Sequence, residues 1–246
     1  MTLTTDQQLF WDENGYLPIP DVVPMDHIER MRSRIEELCR NWDSDEAKRV
    51  GVQQEADYVD SRTSMKSSQT VRKMMPLVPN EPVFEEHARN PCILDMTADL
   101  IGTAISLYAD QALLKPPSIG TIKVPHQDNA HFNVNPHEAL ITCWCALDDA
   151  TLENGCLHYM AGAHKLGLIP HEKLEGTPHL TPVEFDQSKT VPVPMTAGGI
   201  IFHHSLTFHW SPENKTDRWR RAFICHFVRS DAEMPGMNPE NIISLR

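Results

Sequence analysis

The sequence predicts a mainly β protein, a sandwich or barrel of short strands with helices packed outside it. Three observations lead there. Helical periodicity is confined to the part of the chain before about residue 101. Beyond it, short apolar runs rich in β-branched and aromatic residues recur between turn signals, the order expected of a helix-buttressed sheet. The 246 residues, 40% hydrophobic and 23% charged, can bury a full core. Because β sandwiches and barrels of roughly 200–250 residues are routinely single domains, one domain over residues 1–246 is expected.

Taken in order, Thr5 and Gln8 suggest a capping box before a short helix that ends near Asn14-Gly15, where glycine supplies the positive φ of a helix stop. YLPIP, 16–20, reads as an edge strand. Met25, Ile28, Met31, Ile35, Leu38 and Trp42 recur at spacings of three and four, with charged residues between them, which predicts the longest helix and a core-facing stripe. Helices within about 4–42 would thus buttress the barrel. From Trp42 to about Pro82 the chain turns polar and loses sustained periodicity, as a long connection or lid would. A further helix is expected over 91–101. Strand-like runs then follow, among them AISLYADQALLK, GTIKVPHQD, EALITCWCALDD, GCLHYMAG, KTVPVPM, GGIIFHHSLTFHW and RAFICHFV. TAGG at 196–199 lacks the spacing of a nucleotide loop.

A formal charge of −12 argues against a general nucleic-acid or anionic-membrane binder, which needs a basic face to meet phosphate, although a local basic patch is compatible with it. Six cysteines form no C-x-x-C knuckle, and Cys143 and Cys145 lie inside an apolar run, so reduced thiols and a cytosolic location are expected. The N-terminal stretch has no secretory apolar region, no run of ~18 apolar residues could span a membrane, and the terminal SLR is not a peroxisomal address. The sequence does not fix an oligomeric state.

The chemistry concentrates in PHQD, 125–128. Side chains i and i+2 on a strand share a face, so His126 and Asp128 can present an imidazole and a carboxylate side by side. Two histidines and one carboxylate on one side of a metal form the ligand set of non-haem Fe(II) oxygenases. The second histidine would come from His203, His204, His209 or His226. If SPENKTD turns a hairpin centred on Asn214 and Lys215, His209 lies opposite Arg220. A guanidinium there could clasp the carboxylate of a bound dicarboxylate. It could equally belong to an exposed basic cluster with Arg218 and Arg221. His131 either lines a substrate pocket or is a surface histidine, and His203 and His204 read as strand residues near the site.

These motifs resemble the phytanoyl-CoA dioxygenase-like branch of the Fe(II)- and 2-oxoglutarate-dependent oxygenases. WDENGYLPIPDVVP, LLKPP, PHQD, CWCALDDATLENGCLHYMAGAHK and HWSPENKTDRWRRAFICHF carry the resemblance along nearly the whole chain. Its most specific element is H-Q-D with a distal H-x-S and an arginine eleven residues beyond that histidine. The resemblance implies a double-stranded β-helix, or jelly roll, with His126, Asp128 and His209 as iron ligands. It further implies that Arg220 and Ser211 hold the remote carboxylate of 2-oxoglutarate. Trp144 would lie near that cosubstrate, Lys73 would contact it if one gap is allowed, and Gln111 falls where some members use another side chain for this purpose.

The implied reaction consumes O2 and 2-oxoglutarate, releases succinate and CO2, and hydroxylates an unactivated C–H bond. Relatives that halogenate replace the carboxylate by a small residue, and Asp128 keeps it. The expected primary substrate is a small metabolite rather than an acyl-CoA, with lid-like segments at 43–72 and 165–190. Two other classes stay open at this level: a non-oxidative jelly-roll metal-binding protein or isomerase, which has no need of the Arg220 clamp, and a zinc hydrolase, which needs a general base.

Overall fold

Helix α1 (Thr5–Asn14) starts one residue earlier than the sequence spacing suggested. In the computed structural model, which describes residues 1–58, 61–173 and 180–246, the capping pair is Thr4 and Gln7. Thr4 Oγ1 accepts from the Gln7 amide at 3.2 Å, and Gln7 Oε1 accepts from the Thr4 amide at 2.8 Å. Such a cap contributes about 1 kcal/mol. The helix stops at Gly15, φ +74°, where a β-carbon would lie 2.2 Å from His164 Nδ1, so only glycine fits.

Strand β1 (Tyr16–Ile19) forms one edge of the larger sheet, as expected. The longest helix among the described residues, α2 (Met25–Arg40), buries Ile28, Met31, Ile35 and Leu38, while Met25 stays exposed at its start. The polar stretch after it is more than a connection. It forms α3 (Asp45–Arg49) and then adds β2 (Gln53–Gln54) and β3 (Val71–Met74) to the larger sheet. Strands of two and four residues are too short to show a period, which is why the pattern missed them. Helix α4 (Pro82–Ala88) was likewise not foreseen, whereas α5 (Pro91–Ile101) lies where predicted, capped by Asn90.

The remaining strands are β4 (Ile105–Lys115), β5 (Lys123–His126), β6 (Leu140–Ala146), β7 (Leu157–Tyr159), β8 (His171–Lys173), β9 (Leu180–Pro182), β10 (Val191–Val193), β11 (Ile200–His204), β12 (His209–Ser211), β13 (Arg220–Arg229) and β14 (Ile243–Ser244). The short helix α6 (Asn129–Phe132) follows β5. The larger sheet runs β1-β11-β6-β13-β4-β3-β2, with β14 also on β4. The smaller runs β10-β7-β12-β5, and β8 pairs β9. These ladders are antiparallel, and the two main sheets form the jelly-roll sandwich.

Period-two alternation divides the larger sheet between two cores. Cys143, Cys145, Phe223, Cys225 and Phe227 pack with Ile28, Met31, Phe84 and Ile93 of the helices. Trp144, Ala146, Ala222 and Ile224 instead join Leu157, Tyr159 and Val193 between the sheets. Each large apolar side chain removed from water contributes roughly 1.5–3 kcal/mol, and β6, buried at all seven residues, reads as a continuous apolar run for this reason.

The expected hairpin around Asn214 does not form. β12 pairs with β5 and β7, and β13 pairs with β4 and β6, so the chain crosses from one sheet to the other between them. Asn214 holds the crossing, its Nδ2 donating to the carbonyls of Lys115 at 2.9 Å and Arg218 at 2.7 Å. All six cysteines are unpaired. Among the described residues no helix is long and apolar enough to cross a membrane.

Candidate active site

A cavity of about 410 Å³ opens between the sheets, lined by side chains of β4, β6, β11 and β13 on one wall and β5 and β12 on the other. His126 ends β5, and Asp128 stands beyond the strand with φ −57° and ψ −39°, already helical. Strand alternation therefore does not bring these two together. The chain turns into α6 instead, and His126 Nε2 still lies 3.4 Å from Asp128 Oδ1. His209 is the ladder partner of His126, with its Nε2 3.7 Å from the same oxygen. The three donor atoms fall within 4.8 Å of one another, and each residue is at most 5% exposed.

Hydrogen bonds fix which atoms are free. His126 Nδ1 lies 2.9 Å from the Val124 carbonyl and His209 Nδ1 lies 3.1 Å from that of Thr207. A carbonyl only accepts, so both protons sit on Nδ1 and both Nε2 lone pairs point into the site. Asp128 Oδ2 accepts from Thr142 Oγ1 at 2.5 Å and from His203 Nε2 at 3.0 Å, leaving Oδ1 toward the histidines.

Each of these donors is oriented in turn. Tyr159 donates its hydroxyl to His203 Nδ1 at 2.9 Å, His226 Nδ1 donates to Thr142 Oγ1 at 2.8 Å, and Gln111 donates to His226 Nε2 at 3.1 Å. The whole network points its protons at one carboxylate. Burial, and then the Lys123 charge, hold His126 down at about 4, and burial with the neighbouring imidazoles holds His209 well below its ordinary value. Burial alone would raise Asp128, but His209, His126 and His203 outweigh it and keep the carboxyl ionised. Two neutral imidazoles and a carboxylate, N, N and O, can hold a divalent metal with positions left open.

The far end of the cavity carries Arg220, only 3% exposed, with its guanidinium carbon 5.8 Å from the Trp144 ring centre. Its Nε has no hydrogen-bond partner, and among the described residues no carboxylate pairs with it. Burial pushes its pKa down to about 10. Arg221 points the other way, bound by Asp148 at 2.8 Å and Glu36 at 2.6 Å, so the alternative of one exposed arginine cluster fails. Ser211, Lys73 and Gln111 line the same cavity, with Gln111 engaged by His226. His131 lies exposed at the rim, its ring 5.7 Å from that of His126.

His204 turns away toward Trp11 and His164. Sequence reasoning missed Thr142, Tyr159 and Lys123, and did not connect His203 and His226 to Asp128. Thr142 was within reach, standing two residues before Trp144 on a strand whose other face is apolar. It also missed Gln127, fully buried between the two ligands of the motif. Gln127 donates to the carbonyls of Gly167 at 2.9 Å and Leu206 at 2.7 Å, and it accepts from the Ile169 amide at 2.9 Å.

A jelly roll with a buried His-Asp-His cluster and an unpaired arginine in one cavity defines a metal-dependent oxygenase of the double-stranded β-helix class. The family model for phytanoyl-CoA dioxygenase (PhyH) matches residues 11–222, and the chain belongs to that family. "Phytanoyl-CoA dioxygenase, peroxisomal" of Homo sapiens is 31% identical over 98% of this chain and 73% of its own length. Phytanoyl-CoA dioxygenase of Arabidopsis thaliana is 26% identical over 94% and 90%.

Among solved structures, the non-heme alpha ketoglutarate dependent carbocyclase SnoK from nogalamycin biosynthesis superposes with a TM-score of 0.74 at 21% identity, covering 99% of this chain and 97% of its own. EvdO2 from Micromonospora carbonacea var. aurantiaca, complexed with 2-oxoglutarate, gives 0.70 at 21% identity, covering 98% and 96%. Both share the fold.

Proposed function

We propose that this protein is an Fe(II)- and 2-oxoglutarate-dependent dioxygenase that hydroxylates an unactivated C–H bond of a small metabolite, releasing succinate and CO2. One observation carries the reading. Arg220 is a buried cation without an anionic partner among the described residues, in the same cavity as the His-Asp-His cluster. A charge buried unpaired costs several kcal/mol, so its retention calls for a ligand that brings a carboxylate. A metal-binding sandwich without a dicarboxylate has no use for it.

The residues fit the metal. His126 and His209 through Nε2 and Asp128 through Oδ1 would hold Fe(II), and Thr142 and His203 keep Oδ1 turned toward it by occupying Oδ2. Bound there with the keto acid, Fe(II) would supply dioxygen activation and oxidising power. Arg220 and Ser211 would grip the remote carboxylate, Trp144 would lie beside it, and Lys73 would add a second cation. The retained Asp128 carboxylate favours hydroxylation over halogen transfer.

The whole chain acts as one catalytic domain, with 165–190 as its lid. β9, paired antiparallel with β8, packs on β5, and residues 174–179 lie outside the described part. Six unpaired cysteines suit the reducing cytosol. A second reading, an acyl-CoA substrate, is favoured by the names of the relatives. Against it stand 34 acidic against 22 basic residues and a cavity of about 410 Å³, near the small end of ligand pockets.

The test is an anaerobic titration with Fe(II) and 2-oxoglutarate. The weak visible charge-transfer band of a chelated keto acid should develop and should vanish in His126→Ala, Asp128→Ala and His209→Ala. A band that persists in all three variants would disprove the ligand assignment.

A further inference from the structure

Five basic side chains line the cavity, Arg72, Lys73, Lys115, Lys123 and Arg220, against the single carboxylate of Asp128. Three are accounted for. Arg72 pairs with buried Glu55 at 3.2 Å, Lys115 donates to the carbonyls of Thr121 at 2.5 Å and Ser211 at 3.4 Å, and Arg220 awaits the cosubstrate. The ferrous ion, Asp128, 2-oxoglutarate and Arg220 together carry no net charge, and the family resemblance gives Lys73 to the cosubstrate. Lys123 is left over. Among the described residues its ammonium makes no hydrogen bond and no ion pair, and the residue is half-buried, so a ligand can reach it.

Its placement depends on a bulge. Three residues from His126, Lys123 would point to the opposite face of a regular strand. The β5–β12 register steps from His126 opposite His209 to Lys123 opposite Ser211, three residues against two, and the shift returns Lys123 to the cavity while Val124 and Pro125 stay out of it. Its charge bears on His126 and His131, and that of Lys73 bears on His131 and His226, whereas the charge of Arg220 bears on Lys115, so Lys73 and Lys123 lie toward the metal-ligand end of the cavity and Arg220 toward the other.

We propose that the primary substrate is a carboxylic acid in its ionised form and that the Lys123 ammonium receives its carboxylate beside the metal ligands, a reading that rests on the iron and 2-oxoglutarate assignment above. One ammonium matches the single charge of a carboxylate. A phosphate would bring further unmatched charge next to Asp128. With the acid group held at Lys123 and His131 at the rim, Lys123 selects substrates that oxidise at a carbon a few bonds from the carboxylate.

The experiment uses the protein loaded anaerobically with Fe(II) and 2-oxoglutarate and reads the shift of its visible band. The probes are medium-chain fatty acids, α-amino acids and aromatic acids, each against its primary amide, and a phytanoyl-type CoA thioester against its free acid. At least one acid should bind 30-fold or more tightly than its amide. Lys123→Met should abolish that difference, Lys123→Arg should keep most of it, and 2-oxoglutarate affinity in Lys123→Met should stay within twofold. The idea is overturned if no acid outbinds its amide, if the preference survives Lys123→Met, or if the thioester outbinds its free acid irrespective of Lys123. It is also overturned if Lys123→Met weakens 2-oxoglutarate as severely as loss of Arg220. If the band never forms in the wild type, the cosubstrate reading fails first and this inference falls with it.

Discussion

Arg220 and Arg221 are neighbours in the chain with opposite surroundings. Strand alternation sends Arg220 into the cavity and Arg221 toward α2, where Asp148 and Glu36 neutralise it. Arg220→Ala should weaken 2-oxoglutarate binding by about 2–5 kcal/mol, the cost of breaking a desolvated charge pair, with iron affinity far less affected. Arg221→Ala should lower stability and leave 2-oxoglutarate affinity near wild type. Calorimetric titration of both variants checks this, and the reverse pattern would mean that the strand faces the other way. Arg220→Lys should rescue little, since a point charge cannot reproduce a planar fork.

At the scale of elements, the turn from β5 into α6 is tied to the 165–173 segment by one side chain. Gln127 satisfies the Gly167 and Leu206 carbonyls and the Ile169 amide, all otherwise inward-facing backbone groups. Leaving such groups unpaired costs about 1–3 kcal/mol each. Gln127→Ala should therefore loosen 165–173 before it disturbs the barrel. Hydrogen exchange should report lost protection at the Ile169 amide with β6 and β13 unchanged. Equal protection of Ile169 in both proteins would remove Gln127 from this role.

For the molecule as a whole, buried histidines set the response to acid. His87, on α4, is 2% exposed, lies against His27 and Phe223, and has no partner for Nδ1. Burial, then the nearby His27 charge, lower it from 6.5 to about 3. The folded state therefore binds fewer protons than the unfolded chain between those values. Its contribution is fully present above pH 6.5 and is lost as pH falls toward 3, at up to about 1.4 kcal/mol per pH unit. His204 and His226, each held near 4 mainly by burial, act in the same direction. Urea denaturation of the metal-free protein from pH 7 to pH 4 should show a steep loss of stability, and His87→Leu should make it shallower by up to one proton. An unchanged slope would remove His87 from the account.

The core-facing stripe of α2, the helix at 91–101 and the succession of β runs were legible because burial imposes a period of 3.6 or 2 on the residues themselves. The H-Q-D motif and the distal H-x-S with its arginine were legible because the chemistry restricts residue type at short spacing. How these parts meet was not. His126 and Asp128 converge through a strand end and a helical turn, and His209 and Arg220 through a crossing between sheets, where local patterning had suggested one strand and one hairpin. Lys123 reaches the cavity only through a bulge. Thr142, His203, Tyr159 and His226 surround Asp128 from strands far apart in the chain. Periodicity reports which face of an element is buried. Register, bulges and strand order are settled by pairing between distant segments, and in this protein those pairings decide which side chains share the cavity.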